Sequence, residues 1–209
     1  MAGGPRPNRV TPTGDIVAIP LRGAWCGNRG NLHGRGTTIL RSHNGALWIV
    51  CALAYKGRHL EQSVPGRYTL LFFHDEAVAF AAGHRPCALC RRAAYERYRD
   101  AWVAGEGGDR PAAAAINRRL HAERLVAGTH RRQLHRMPWR SLPTGAFVLV
   151  DDHPQLVRDD TVVPWSVEGY GRPAPRPSVG DVDVLTPPST VTVLQCGYEI
   201  QIDPSATLP

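Results

Sequence analysis

Cys87 and Cys90 stand two residues apart just ahead of a helical pattern, and their spacing is the sharpest chemical signal in the chain. A two-residue gap lets both sulfurs face one ion from a tight knuckle, and a helix N-terminus favours their thiolate charge. Two sulfurs make half of a tetrahedral site, so further ligands must come from elsewhere. Cys26 and His33, in the loop 25–34, are the first candidates because loops present ligands readily. Cys51 is the rival, although its apolar, strand-like setting reads rather as a buried and inert thiol. His59 and His84 are further candidates, and Cys196 reads as packing in a last helix. Three or four N and S ligands suit zinc, in a closed site with a structural role. A redox dithiol would need a βαβ context that the flanking sequence lacks.

A second constellation offers an enzymatic alternative. Pro86-Cys87-x-x-Cys90 matches the PC-x-x-C of zinc nucleobase deaminases, and His121-Ala122-Glu123 spells their H-x-E. In that chemistry the histidine binds zinc and Glu123 shuttles protons to the base. The order of the two motifs is reversed here, and His121 and Glu123 also read simply as polar residues on a basic helix.

Arginines form the third constellation. Arg118, Arg119, Arg124, Arg131, Arg132, Arg136 and Arg140 crowd one helix and the loop after it, with His121, His130 and His135 among them. Such a run can track a phosphate backbone, with Trp139 stacking on a base; it also reads as a solvated helix face. Gly27-Asn28-Arg29-Gly30 and Gly34-Arg35-Gly36 offer free backbone N–H groups to a phosphate, but fit neither the P-loop nor the dinucleotide fingerprint. Paired acids such as Asp151-Asp152 read as turn residues.

The charge is segregated. Residues 1–140 carry 22 Lys+Arg against 9 Asp+Glu, and residues 141–209 carry 3 against 9, within an overall +7. Coding bias toward arginine would act on both parts alike, so the segregation points to a polyanionic partner for the first part. A length of 209 residues with 43% apolar and 21% charged side chains is ordinary globular usage and excludes a wholly disordered chain or a coiled coil. The longest nearly unbroken apolar stretch, 46–55, is too short to span a membrane, and the first 15 residues lack the apolar core of a signal peptide. Five cysteines, an odd number, do not make a disulfide scaffold, so a reducing cytoplasm is the expected compartment.

The elements that must position these groups follow from patterning. Residues 1–20 read as a poorly ordered lead-in and 21–45 as glycine-rich loop. Strands are expected at 46–55 and 68–73, then a short helix at 76–82 capped by Asp75 and stopped by Gly83. Helices are expected at 88–103 and 112–126. After 141, short apolar runs at 146–150, 161–163 and 182–185 read as strands, and Pro187-Pro188 opens a last helix at 191–196. The expected organisation is a lead-in (1–20), a basic part (21–140) and an acidic strand-rich region (141–209).

The stretch FFHDEAVAFAAGHRPCALCRR, residues 72–92, resembles the metal-binding domain of Ada-type DNA-repair proteins. Phe72, Phe73, Glu76, Ala77, Ala82, Gly83, Arg85, Pro86, Cys87, Cys90 and Arg91 occupy the places of that family's pattern, and His84 stands where an aromatic is usual. The chain is also similar to a group of bacterial proteins with GNRG near the N-terminus and LTPPSTV near the C-terminus, which implies kinship rather than an activity. The Ada likeness implies an α+β fold with a CxxC knuckle, short strands and two or three helices. It also implies zinc at Cys87 and Cys90, and DNA as partner. Ada-type domains draw their other two thiolates from an upstream C-x-x-x-C, one of which accepts a methyl group from DNA. The matching stretch here, 55–60 (YKGRHL), has no cysteine, so alkyl transfer is not expected. The combined expectation is a DNA-binding protein with a zinc-type knuckle. Arg91, Arg92, Arg118, Arg119, Arg131 and Arg132 would bind phosphates, and the zinc-dependent hydrolase or deaminase is the alternative.

Overall fold

The computed structural model describes residues 4–34, 36, 38–57, 64 and 66–207. Two sheets and four helices make an α+β fold. The first sheet holds β1 (Arg9–Val10), β2 (Ile16–Val17), β3 (Trp25–Asn28), β4 (Ile49–Cys51), β5 (Leu71–Phe73) and β6 (Arg85–Pro86), in the order β2-β1-β5-β3-β4-β6. β1 runs parallel to β5 and β4 parallel to β6; the other pairings are antiparallel.

Between β5 and β6 lies α1 (Glu76–Ala81), where the Asp75 side chain accepts from the Val78 N–H at 2.8 Å as its N-cap. Every residue of α1 is buried. Gly83 ends the turn at φ +87°, and a Cβ there would lie 2.6 Å from Arg124 Cδ, so only glycine fits. α2 (Arg92–Glu106) begins four residues later than the pattern expects, because 87–90 are taken up by a tight turn. Tyr95, Tyr98, Ala101 and Trp102, three or four residues apart, give α2 its buried face. α3 (Ala113–Arg124) follows, with Ile116 and Leu120 fully buried.

The second sheet contains β7 (His135–Pro138), β8 (Phe147–Val150), β9 (His153–Val157), β10 (Thr161–Ser166), β11 (Gly169–Tyr170), β12 (Ala174–Pro175) and β13 (Asp181–Val184). Its order is β11-β10-β9-β8-β13-β7, with β12 added on β10. Its apolar side chains Phe147, Leu156, Val163 and Trp165 pack on Ala77, Val78 and Ala81 of α1. The last helix, α4 (Pro188–Gln195), returns to the first part, where Val193 and Leu194, with Tyr198, join Phe73, Phe80, Tyr98 and Leu120 in one core.

Two expected boundaries therefore lie differently in the fold. Residues 9–17, expected as lead-in, supply two strands, β2 at the sheet edge and β1 beside it, and Val10 is only 2% exposed. Two-residue strands leave no periodicity to read. The 140/141 division falls inside the second sheet, since β7 pairs along its length with β13. No helix among the described residues is long and apolar enough to cross a membrane.

Candidate metal centre

The thiols of Cys51, Cys87 and Cys90 converge with all three sulfurs within 4.8 Å of one another. The register of the first sheet explains why. β4 and β6 pair in parallel with Ile49 opposite Arg85 and Val50 opposite Pro86, so the next step sets Cys51 level with Cys87. The Cys87 N–H donates to the Val50 carbonyl at 2.9 Å, extending the ladder to the knuckle. The chain then turns through Ala88 and Leu89, returning Cys90 to the same side immediately before α2.

Cys26 lies across from Cys51 in the β3–β4 pairing, within the apolar nest of Cys51, Leu70 and Cys87. Residues directly opposite in an antiparallel pair have Cβ atoms about 5 Å apart. Its Sγ is 3.3 Å from the Ala52 carbonyl oxygen. Gly27 makes this close pairing possible, because a Cβ at that position would meet the Ile49 carbonyl oxygen at 2.1 Å.

The protonation of the group is divided among its members. Cys87 is pushed down to about 5, chiefly by the hydrogen bond from Cys51 and, against its burial, by the backbone N–H groups of Cys90 and Leu89. The Cys51 thiol is driven far up by that same bond and by burial, and Cys90 is raised by burial. One thiolate solvated by neighbouring S–H and N–H groups is what soft-metal ligation needs at its start, since the thiolate is the ligand. Zinc–sulfur bonds of about 2.3 Å at tetrahedral angles place sulfurs about 3.8 Å apart, which the cluster accommodates with small adjustments. The donor set thus fits a thiophilic ion.

His33, the other loop candidate, is turned elsewhere. Its Nδ1 lies 2.6 Å from Thr69 Oγ1 and its Nε2 3.2 Å from the Val64 carbonyl oxygen. His84 is fully buried, with Nδ1 on the Ala79 carbonyl and Nε2 accepting from Arg29 Nε, so it too stands apart from the thiols. His59 and Arg35 lie outside the described residues. Cys51 is the member of the thiol group that sequence reasoning set second. Its signal is sheet register, which no local spacing displays.

The deaminase-like pair does not join the thiols either. Glu123 accepts from the Ser189 N–H at 3.1 Å and hydroxyl at 2.6 Å, and from Arg119 Nε at 2.5 Å. It therefore serves the first turn of α4, where free N–H groups need an acceptor. His121 lies 3.0 Å from Arg124.

The six arginines named as phosphate ligands divide sharply. Arg91 is buried against Glu76 at 2.6 Å and stacks on Trp25 at 3.8 Å. Arg92 pairs with Glu96 at 2.7 Å, and Arg119 with Glu123. Arg132 holds the carbonyls of Ala81 and Leu185 through Nη2, tying α1 to the end of β13. Only Arg118 and Arg131 are exposed with no carboxylate partner among the described residues.

Sequence reasoning missed a buried cationic layer around Trp48. Arg29 and Arg124 both stack on its indole, at 4.2 and 3.8 Å, and each is 1% exposed. Burial, with repulsion from the other arginines, pushes Arg29 down to about 9 and Arg124 down to about 8; both stay charged at neutral pH. Arg29 belonged to the glycine loop that offered a phosphate site, the one signal that pointed this way.

The fold and site together define an α+β protein with a group of three converging thiols, two buried and Cys90 partly exposed. No protein family, curated protein or solved structure matches the chain.

Proposed function

We propose that the protein is a zinc-thiolate nucleic-acid-binding protein, with DNA as the polymer. The observation that carries the metal half is the convergence of Cys51, Cys87 and Cys90; Cys26, opposite Cys51 in the ladder but outside that group, is proposed as the fourth donor. Four thiolates around zinc form a closed, structural site. The ion would pin β3 and β4 to the turn that starts α2. The Ada-like stretch supports the same knuckle, with its upstream thiolates replaced by one from each of two adjacent strands.

The polymer half rests on charge. The excess of arginine before residue 140 leaves Arg118, Arg131 and Arg140 exposed and without an intramolecular acid among the described residues. Counterion release by such groups makes binding weaken steeply with salt. Titration of duplex DNA at several salt concentrations should give a linear fall of log affinity with log salt. Arg118→Ala/Arg131→Ala should flatten that slope by about 1.8, the share of two phosphate contacts. Undetectable or salt-insensitive binding at low ionic strength refutes the polymer half and leaves the metal half standing.

A further inference from the structure

The cationic layer around Trp48 opens on a small cavity. Its volume is about 90 Å³, and Arg29, Arg132, His130, Ser42 and Thr13 line it, with Asp15 at the rim. Space of this size holds about six waters, far less than a base or a drug-sized ligand requires.

Among the described residues the cationic groups in its wall are only partly partnered. Arg29 donates from Nη1 to the Gly14 carbonyl at 2.8 Å and from Nε to His84 at 3.2 Å, but Nη2 is buried without a hydrogen bond. Arg132 commits Nη2 to two carbonyls. Gly14, at φ +94°, is the floor where the two guanidiniums meet. A Cβ there would lie 3.8 Å from Arg29 Nη2 and 4.0 Å from Arg132 Nη1. Among the described residues neither arginine forms an ion pair, and Asp15 is the nearest acid acting on both. His130 turns Nδ1 to His43 at 3.2 Å and to Ser42 at 3.3 Å, and its Nε2 has no hydrogen-bond partner among the described residues.

A buried guanidinium with an idle N–H is costly, because lost hydration is not replaced. Stacking on Trp48 offsets part of that cost but leaves the charge uncompensated. The idle N–H groups of Arg29 Nη2 and Arg132 Nε, with an imidazole and the Ser42 hydroxyl beside them, match a tetrahedral oxyanion, while the Thr13 hydroxyl donates to Asp15 at 2.6 Å. Asp15 adds an acceptor that only an oxyanion still carrying a proton can use, which favours phosphate over sulfate.

We infer that this cavity is a binding site for a phosphate group, held by Arg29 and Arg132 with His130 at the mouth. The group can come from free phosphate or from a terminal monoester of nucleic acid. The inference stands on its own residues and does not need the polymer reading above.

The test uses the full chain and inorganic phosphate, followed by calorimetric titration and thermal melting against chloride and sulfate at matched ionic strength. Phosphate should bind and raise the melting temperature, with sulfate clearly weaker. Arg29→Lys should weaken phosphate by about tenfold or more, since one ammonium cannot hold the Gly14 carbonyl and His84 and also present an N–H to the cavity. As that position is buried, His130→Ala, at an exposed position, supplies a second variant and should weaken phosphate about threefold to tenfold. No phosphate binding, equal binding of sulfate, or phosphate affinity unchanged in both variants overturns the site. A 5′-phosphorylated oligonucleotide preferred over its 5′-hydroxyl form identifies the terminus as the source. Phosphate binding without that preference identifies free phosphate. Phosphate binding with no oligonucleotide binding keeps the site and refutes only the polymer reading.

Discussion

Replacing Cys51 with serine separates a metal centre from a mere nest of thiols. Three sulfurs within 4.8 Å supply most of a tetrahedral shell, and Cys51 is the member that links the strand pair to the knuckle. Without it only the two knuckle thiols of that group remain. An ion that binds only the folded chain stabilises it by RT ln(1 + [L]/Kd), about 4 kcal/mol at free zinc a thousandfold above Kd. For a chain of this size each kcal/mol moves the melting temperature by about 2–4 °C, so loss of the ion lowers it by about 8–16 °C. Wild-type protein purified without added metal should contain about one zinc per chain by elemental analysis, and a strong chelator should lower its melting temperature by that amount. Cys51→Ser should contain none and be indifferent to the chelator, whereas Cys196→Ser, outside the cluster, should match wild type. A full complement of zinc in Cys51→Ser, or a wild-type melting curve unmoved by chelation, would refute the centre.

Two further expectations come from the frame around the sites. His84 is held neutral, well below its ordinary pKa, by burial and by Arg29 and Arg124. The unfolded chain binds a proton there at about pH 6.5 that the folded chain refuses, so this contribution is fully present above 6.5 and is lost as pH falls. Urea denaturation should show wild type losing about 1.4 kcal/mol more than His84→Gln between pH 8 and 5.5. Equal losses would mean that His84 is protonated in the fold. Gly27→Ala would press a Cβ against the Ile49 carbonyl and the Phe73 ring. It should destabilise by about 3 kcal/mol and weaken zinc retention in parallel; a wild-type melting temperature would show that β3 and β4 do not pair this closely.

What was legible in the chain was whatever is encoded locally. The Asp75 cap, the Gly83 stop, the apolar face of α2 and Pro188 at the start of α4 each act within a few residues, and the structure shows each of them. The knuckle turn at Cys87 and Cys90 is local too. Its completion is not. Cys51 reaches it only because β4 and β6 run parallel, a pairing that spans α1 and the intervening strand and leaves no mark in spacing. In an apolar strand a ligand thiol and an inert one look alike, and only the neighbour across the ladder tells them apart.

The arginines carry the same lesson with the opposite sign. Clustering along the chain named Arg91, Arg92 and Arg119 as outward cations, yet Glu76, Glu96 and Glu123 claim them. Two buried cations without acids among the described residues, Arg29 and Arg124, are 95 residues apart in sequence and meet at the indole of Trp48. Charge counting along a sequence measures supply. Which charges remain available to a partner depends on where the acids fold; among the described residues the unpaired ones divide between the surface, at Arg118 and Arg131, and the interior, where Arg29 and Arg132 line a small cavity.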